Sequence, residues 1–322
     1  MAKLAVLTSG GDAPGMNSAI RAVVRAANAK DIEVIGIRHG FGGLLAGDSV
    51  ALNSRSVSNI MHLGGTILRT SRSPEFKTKK GRAGAASFLK EAKVDFLISI
   101  GGDGTLRGSA ALSEETDTRI VHIPSTIDND VYGTDYTIGF DTAVNTALEA
   151  IDRIRDTALS LEHVFFVEVM GRDTGFIALE AGIAGGALEI LVPEIAESTL
   201  HLCHSIQASF GRGKGSAIVV VAEGDRPGGA FEVAKEVKTI TGLDTRVVVL
   251  GHTQRGGSPT ARDRVLATKL GVAAVEALFQ AKAGVVVGEK CGQVVHTPLK
   301  EAAEKRKPLD GSLVELLKLV AG

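Results

Sequence analysis

Phe96-Leu97-Ile98-Ser99-Ile100-Gly101-Gly102-Asp103-Gly104-Thr105 sets the frame for the whole chain. The apolar run has the length of one buried strand, and the glycines after it make a tight turn that feeds a helix. The same order occurs at Leu4-Ala5-Val6-Leu7-Thr8-Ser9, followed by Gly10-Gly11-Asp12-Ala13-Pro14-Gly15. It returns at Val247-Val248-Val249-Leu250, followed by Gly251-His252-Thr253-Gln254-Arg255-Gly256-Gly257. Further buried strands are expected at 33–37, 120–123, 164–169, 188–192 and 217–221, and the run at 246–250 completes the set. Between them the period is helical, most clearly over 138–158, where Val144, Leu148, Ile151 and Ile154 share one face. Such alternation gives an α/β chain with a mostly parallel sheet covered by helices on both faces. Ligands then bind beyond the carboxyl ends of strands, where the glycine clusters stand.

Composition narrows the classes. The 322 residues carry 36 basic and 37 acidic side chains, a formal net charge of −1, so no charge footprint for nucleic acid or an anionic membrane exists. Cys203 and Cys291 form neither a disulfide framework nor a metal-ligand spacing. No apolar run approaches the ~18 residues of a membrane span, so a soluble, cytoplasmic protein is expected. The 39 glycines exceed the usual share without any repeat period, which points to many specialised turns.

A Gly-Gly-Asp turn at a strand end lets backbone N–H groups approach a phosphate, because no Cβ intrudes. Its carboxylate suits a Mg²⁺ carried on phosphate oxygens. A capped structural turn has the same composition, but two in one chain favour phosphate. Neither turn matches the P-loop or the dinucleotide fingerprint, which leaves a nicotinamide site unsupported. Pro124-Ser125-Thr126-Ile127-Asp128-Asn129-Asp130 offers one carboxylate as a base and one as an orienting or metal-linked group. The alternative there is an Asx turn bonded to its own backbone. Glu168-Val169-Met170-Gly171-Arg172-Asp173 and the 251–257 segment each place a fixed cation at a strand end, as recognition of a sugar phosphate or a surface ion pair requires.

Taken in order, Thr8-Ser9-Gly10-Gly11-Asp12-Ala13-Pro14-Gly15-Met16-Asn17, Gly101-Gly102-Asp103-Gly104-Thr105, Thr126-Ile127-Asp128-Asn129-Asp130, Val169-Met170-Gly171-Arg172 and the 251–257 segment resemble the motifs of the bacterial 6-phosphofructokinase family. The resemblance runs from Lys3 to the final helix. It implies two doubly wound three-layer αβα lobes with largely parallel sheets and an active site in the cleft between them. Residues 1–138 with 252–304 would hold the nucleotide, and 139–251 with 305–322 the sugar phosphate. The implied reaction is phosphoryl transfer from ATP to the 1-hydroxyl of fructose 6-phosphate, the committed step of glycolysis, with Mg²⁺ as cofactor. By the same resemblance Asp128 is the base and Asp103 the Mg²⁺ ligand, direct or through water. Gly11 gives a backbone N–H to the transferring phosphoryl group, Arg72 and Arg172 neutralise its charge, and Thr126 and Asp130 complete its surroundings. Phe41, Ser73, Gly102, Gly104, Thr105 and Gly108 join Gly11, Arg72 and Asp103 around ATP. The sugar phosphate falls to Thr126, Ile127, Asp128, Met170, Gly171, Arg172, Glu223, His252 and Arg255. His163 and Arg246 come from the neighbouring subunit of a homotetramer.

The resemblance also defines departures. Pyrophosphate-using relatives carry Asp at the position of Gly104 and Lys at that of Ser125, so Gly104 favours ATP while Ser125 is neither the Gly of ATP users nor the Lys. His163 stands where Arg is usual; a histidine titrates near neutrality, so the apparent KM for fructose 6-phosphate is expected to rise from about pH 6 to 8. Effector binding is expected at Arg21, Arg25, Arg155, Gly186, Arg212 and Lys214. Leu188 replaces the acidic position there and Gly215 a Lys, which predicts weak or altered coupling. Three alternatives to the ATP-dependent kinase are pyrophosphate use, a non-catalytic regulatory subunit, and a lipid or NAD kinase sharing Gly-Gly-Asp-Gly-Thr. Intact Asp103, Asp128, Asp130 and Arg172 oppose the second, and the 126–130 and 251–257 motifs oppose the third.

Overall fold

A computed structural model gives the structure of residues 2–280 and 282–320. The chain begins with β1 (Lys3–Thr8), α1 (Met16–Asn28), β2 (Glu33–Ile37), α2 (Gly40–Ala46), β3 (Ser49–Leu52) and α3 (Lys79–Glu91). It continues through β4 (Phe96–Gly101), α4 (Asp103–Ser113), β5 (Arg119–Pro124), α5 (Phe140–Leu161), β6 (Val164–Val169), α6 (Phe176–Ala184) and β7 (Glu189–Leu191). Then follow α7 (Thr199–Gly211), β8 (Ala217–Ala222), α8 (Gly229–Thr241), β9 (Thr245–Val249), α9 (Ala261–Phe279), β10 (Val285–Lys290), β11 (Gln293–Pro298), α10 (Leu299–Glu304) and α11 (Gly311–Val320). Each of the strands expected from the sequence is present.

Two compact units result: Met1–Thr142 with Arg255–Lys307, and Ala143–Gln254 with Pro308–Gly322. The first contains a sheet of order β11-β10-β5-β4-β1-β2-β3, parallel from β10 to β2 with antiparallel edges at β11 and β3. The second contains a fully parallel sheet of order β7-β8-β6-β9. Parallel strands buried on both faces read as unbroken apolar runs, which is why they stand out in the sequence. Leu97, Leu106, Leu112 and Ile120 belong to the first core; Phe166, Val219, Val221 and Ile206 to the second.

The seam falls at Thr142, inside the first turn of α5, rather than at residue 138. Asp263 of α9 is the reason. Its buried carboxylate accepts from the N–H groups of Gly139 (2.8 Å) and Thr142 (2.9 Å) and from the Thr142 hydroxyl (2.5 Å). That satisfies helix-start donors from another helix and ties the start of α5 to the first unit. Burial pushes the Asp263 carboxyl upward from its ordinary pKa, and the three donors oppose that push. No helix among the described residues is long and apolar enough to cross a membrane.

Candidate functional site

β1 and β4 are parallel neighbours, with Thr8 opposite Ile100, so their glycine turns leave the sheet side by side. The Ser9 N–H donates to Ile100 O at 3.1 Å, and the Thr105 hydroxyl reaches back to Ser9 O at 2.9 Å. A Cβ on Gly101 would lie 2.5 Å from the Thr105 hydroxyl and 2.6 Å from Ser9 O, so this approach requires glycine. The Arg255 guanidinium lies where a Cβ on Gly11 would project. Its Nε is buried with no hydrogen-bond partner among the described residues. Arg255, expected with the sugar, thus lies against the Gly11 turn of the first unit.

β5 pairs with β4 up to Gly101 opposite Pro124, and the Ser125 N–H donates to Gly101 O at 2.9 Å. This brings 125–130 beside the two glycine turns. Asn129 adopts φ 54°, a left-handed conformation that asparagine tolerates. Its amide donates to Asp135 O at 3.3 Å and accepts from the Thr137 N–H at 2.9 Å. The Asp128 N–H donates to the Thr126 hydroxyl at 3.1 Å, and Asp128 is only 4% exposed. Gly102 lies against Thr126, where a Cβ would meet its side chain at 3.1 Å. Ser125 is fully buried and donates to Ile138 O at 3.3 Å, so its hydroxyl faces the interior rather than the turn surface.

Asp103 opens α4, whose N-cap Gly102 makes no side-chain cap, leaving first-turn N–H groups for an anion. Its two carboxylate oxygens are held by Arg107 Nε at 3.0 and 2.9 Å. A Cβ on Gly104 would meet nothing within 4 Å. Gly108 closes on a stacked pair, Phe41 and Phe76, with centroids 3.9 Å apart. Phe41 is 6% exposed with one face against Phe76, a core position rather than an open platform. Arg72 is exposed at its turn, and Ser73 accepts from the Phe76 N–H at 3.3 Å. No group of three or more His, Cys, Asp or Glu able to cage a metal exists among the described residues. One carboxylate beside an anion-ready helix start fits a Mg²⁺ that arrives on phosphate oxygens with its waters, not a resident ion.

In the second unit, Met170, Glu223 and His252 follow the carboxyl ends of β6, β8 and β9. Gln254 is fully buried; its Oε1 accepts from the Met170 N–H at 2.9 Å, and its Nε2 has no partner among the described residues. Arg172, at φ 56°, donates its N–H to Glu223 Oε1 at 2.8 Å, while Gly171 takes φ 143°. His163 and Arg246 stand at the opposite end of this sheet, where Val164 pairs Thr245 and Phe165 pairs Arg246. Six residues of strand, about 20 Å, separate His163 from Met170, and four separate Met170 from Phe165, the partner of Arg246. The sequence missed Gln254, Arg107 and Thr137, because a polar side chain next to a motif gives no sign of the direction it faces.

The expected effector residues divide between the units: Arg21 and Arg25 on α1, Arg155, Gly186, Arg212 and Lys214 in the second. Arg155 donates to the carbonyls of Gly185 and Gly186, the latter at 3.1 Å. Leu188 is a core residue of the second unit, so its side chain packs inside the fold.

Adjacent glycine turns, a buried acidic loop and a guanidinium with an unpartnered Nε beyond one parallel sheet define a phosphate-handling α/β protein of the kinase class. The family model for phosphofructokinase matches residues 3–278, and the chain belongs to the phosphofructokinase family. It is 58% identical over 321 residues to the ATP-dependent 6-phosphofructokinase 1 of Thermus thermophilus, covering all of both chains. It is 50% identical over 321 residues, again covering both chains fully, to the ATP-dependent 6-phosphofructokinase of Clostridium tetani. Among solved structures, the phosphofructokinase of Saccharomyces cerevisiae matches 100% of this chain and 47% of its own, with TM-score 0.88 and 35% identity. A pyrophosphate-dependent phosphofructokinase from Marinobacter aquaeolei shares the fold at TM-score 0.85 and 24% identity, over 96% of this chain and 86% of that one.

Proposed function

We propose that this chain transfers the γ-phosphoryl group of ATP to the 1-hydroxyl of fructose 6-phosphate. The observation that carries the reading is full-length identity of 58% to a relative named for that activity. The geometry adds support, since the space beside Gly104 stays open for a nucleotide. Asp128, nearly buried beside Thr126, accepts the hydroxyl proton as O1 attacks the γ-phosphorus, and the bond to the β,γ-bridging oxygen breaks to release ADP. The Gly11 N–H and the first turn of α4 meet phosphate oxygens; Arg72 and Arg172 are assigned to the charge that develops. Asp103 would hold Mg²⁺ after exchanging its Arg107 contacts, and such an ion would supply neutralisation of the phosphate charge.

Met170, Gly171, Arg172, Glu223 and His252 would bind the sugar phosphate. His163 and Arg246, at the far end of the second sheet, suit donation to a second copy, which supports a homotetramer with shared sites. A cytoplasmic enzyme follows from the same reading. The test supplies purified protein with Mg²⁺, fructose 6-phosphate, and either ATP or pyrophosphate, and reads fructose 1,6-bisphosphate. Turnover with ATP alone is expected. Turnover with pyrophosphate alone overturns the donor, and none with either points to a binding subunit.

A further inference from the structure

Beneath the 101–105 turn lies a fully buried polar chain that the phosphoryl chemistry does not use. Ser99 on β4 places its hydroxyl 2.7 Å from that of Ser109 on α4 and 2.9 Å from Nδ1 of His122 on β5. All three residues are completely buried. They join the three elements that carry the site. Ser99 stands two residues before Gly101, Ser109 lies in the second turn of the helix that Asp103 opens, and His122 precedes the 125–130 loop.

Among neighbours such as Leu97, Leu106 and Ile120, apolar side chains would fill this space at no desolvation cost. Apolar contacts, however, tolerate sliding. A hydroxyl chain does not, because each link weakens steeply outside its narrow distance and angle. The helix lacks a side-chain cap at Gly102, so this chain is a directional tie between α4 and the strands beneath it.

Proton accounting gives the chain a direction. Burial lowers the His122 pKa to about 3, against a smaller opposing pull from the Gly101 backbone, so the ring is neutral and carries one N–H. With the proton on Nε2, Nδ1 accepts from Ser99, and Ser99 accepts from Ser109. Nε2 has no hydrogen-bond partner among the described residues, so the chain of bonds ends at the ring.

We propose that His122, acting through Ser99 and Ser109, is a positioning residue that fixes the orientation of the 101–105 turn and thereby sets affinity for the nucleotide. The inference rests on the ATP-dependent reading. The test compares wild type with His122→Leu, His122→Asn and Ser109→Ala, all full length, in apparent KM for ATP and for fructose 6-phosphate. His122→Leu should raise the KM for ATP about five- to tenfold and leave that for the sugar phosphate within about twofold, the range one lost hydrogen bond supports. His122→Asn, whose side-chain amide reaches the Nδ1 position, should restore most of the loss. Ser109→Ala should shift the same constant about two- to threefold.

Equal movement of both constants, no movement in either, or an Asn variant as impaired as the Leu variant overturns the proposal. If His122→Leu does not fold, Ser109→Ala decides: an unchanged KM for ATP is then the overturning result. Failure of wild type to use ATP sinks the functional reading instead, so the two failures are distinct.

Discussion

Asp128, the proposed base, sits on a loop that is held from outside. Asparagine in its place keeps the size and the backbone N–H bond to Thr126 but cannot take the proton. Asp128→Asn should therefore lower kcat by about 10²–10⁴ with little change in thermal midpoint, read by steady-state kinetics beside a melting curve. Asn129 does the holding. Asn129→Ala removes the amide's three bonds, to Asp135 O and from the Thr137 N–H and hydroxyl, leaves the buried Thr137 N–H unpaired, and puts a Cβ residue without a local hydrogen bond at φ 54°. A loss of about 2–4 kcal/mol in urea unfolding is expected from the unpaired donor and the left-handed backbone together. A loss below about 1 kcal/mol would mean that the loop is held by its other contacts. The motif letters announce Asp128, whereas the role of Asn129 depends on Asp135 and Thr137, which lie outside the motif and across a turn. The same holds for Ser125. The sequence reads it as part of a donor-selecting surface, yet its N–H and hydroxyl bond Gly101 O and Ile138 O in the interior.

Elements show where patterning informs and where it stops. β1 and β8 are nearly continuous apolar runs, and β4, β5 and β6 are interrupted inside only by Ser99, His122 and Glu168, so all five are legible from the sequence alone. β3 has three exposed residues of four, and β10 has only three consecutive valines before Gly288, a buried run too short to stand out as a strand. Buried polar positions inside a legible strand are the harder case: β5 reads as apolar across His122. Its titration gives the element a testable signature. The folded-state pKa near 3 lies below the unfolded value near ~6.5, so the stability contribution is complete above pH 6.5 and is lost as pH falls toward 3. By pH 5 the loss is about 2 kcal/mol, since the unfolded imidazole is by then mostly protonated. Urea unfolding at pH 7 and pH 5 should therefore show a steeper decline in wild type than in His122→Asn, by about that amount. Parallel declines would mean that His122 ionises without cost in the fold.

At the scale of the whole molecule, the parallel second sheet separates two groups of expected sugar-phosphate ligands. Met170, Glu223 and His252 leave the carboxyl ends of its strands, and His163 and Arg246 sit at the amino ends, six strand residues (about 20 Å) from the far end along β6 and three (about 10 Å) along β9. Neither residue type nor spacing in the chain reveals that opposition, because it follows from strand pairing. A single copy would then lack part of its phosphate clamp, and a closed symmetric assembly would supply it reciprocally. The consequence is complementation between two defective chains. Asp128→Asn abolishes every site that uses its own loop, and Arg246→Ala impairs every site that receives its donated cation. In a mixed assembly, a site with Asp128 from one variant and Arg246 from the other is complete. Random pairing at equal expression makes about a quarter of the sites complete. Co-expressed, differently tagged chains purified through both tags should thus recover about a quarter of wild-type activity at low fructose 6-phosphate, where each variant alone is nearly silent. Recovery no greater than the mean of the two separate variants would show that each chain builds its own site and that Arg246 acts within its own subunit.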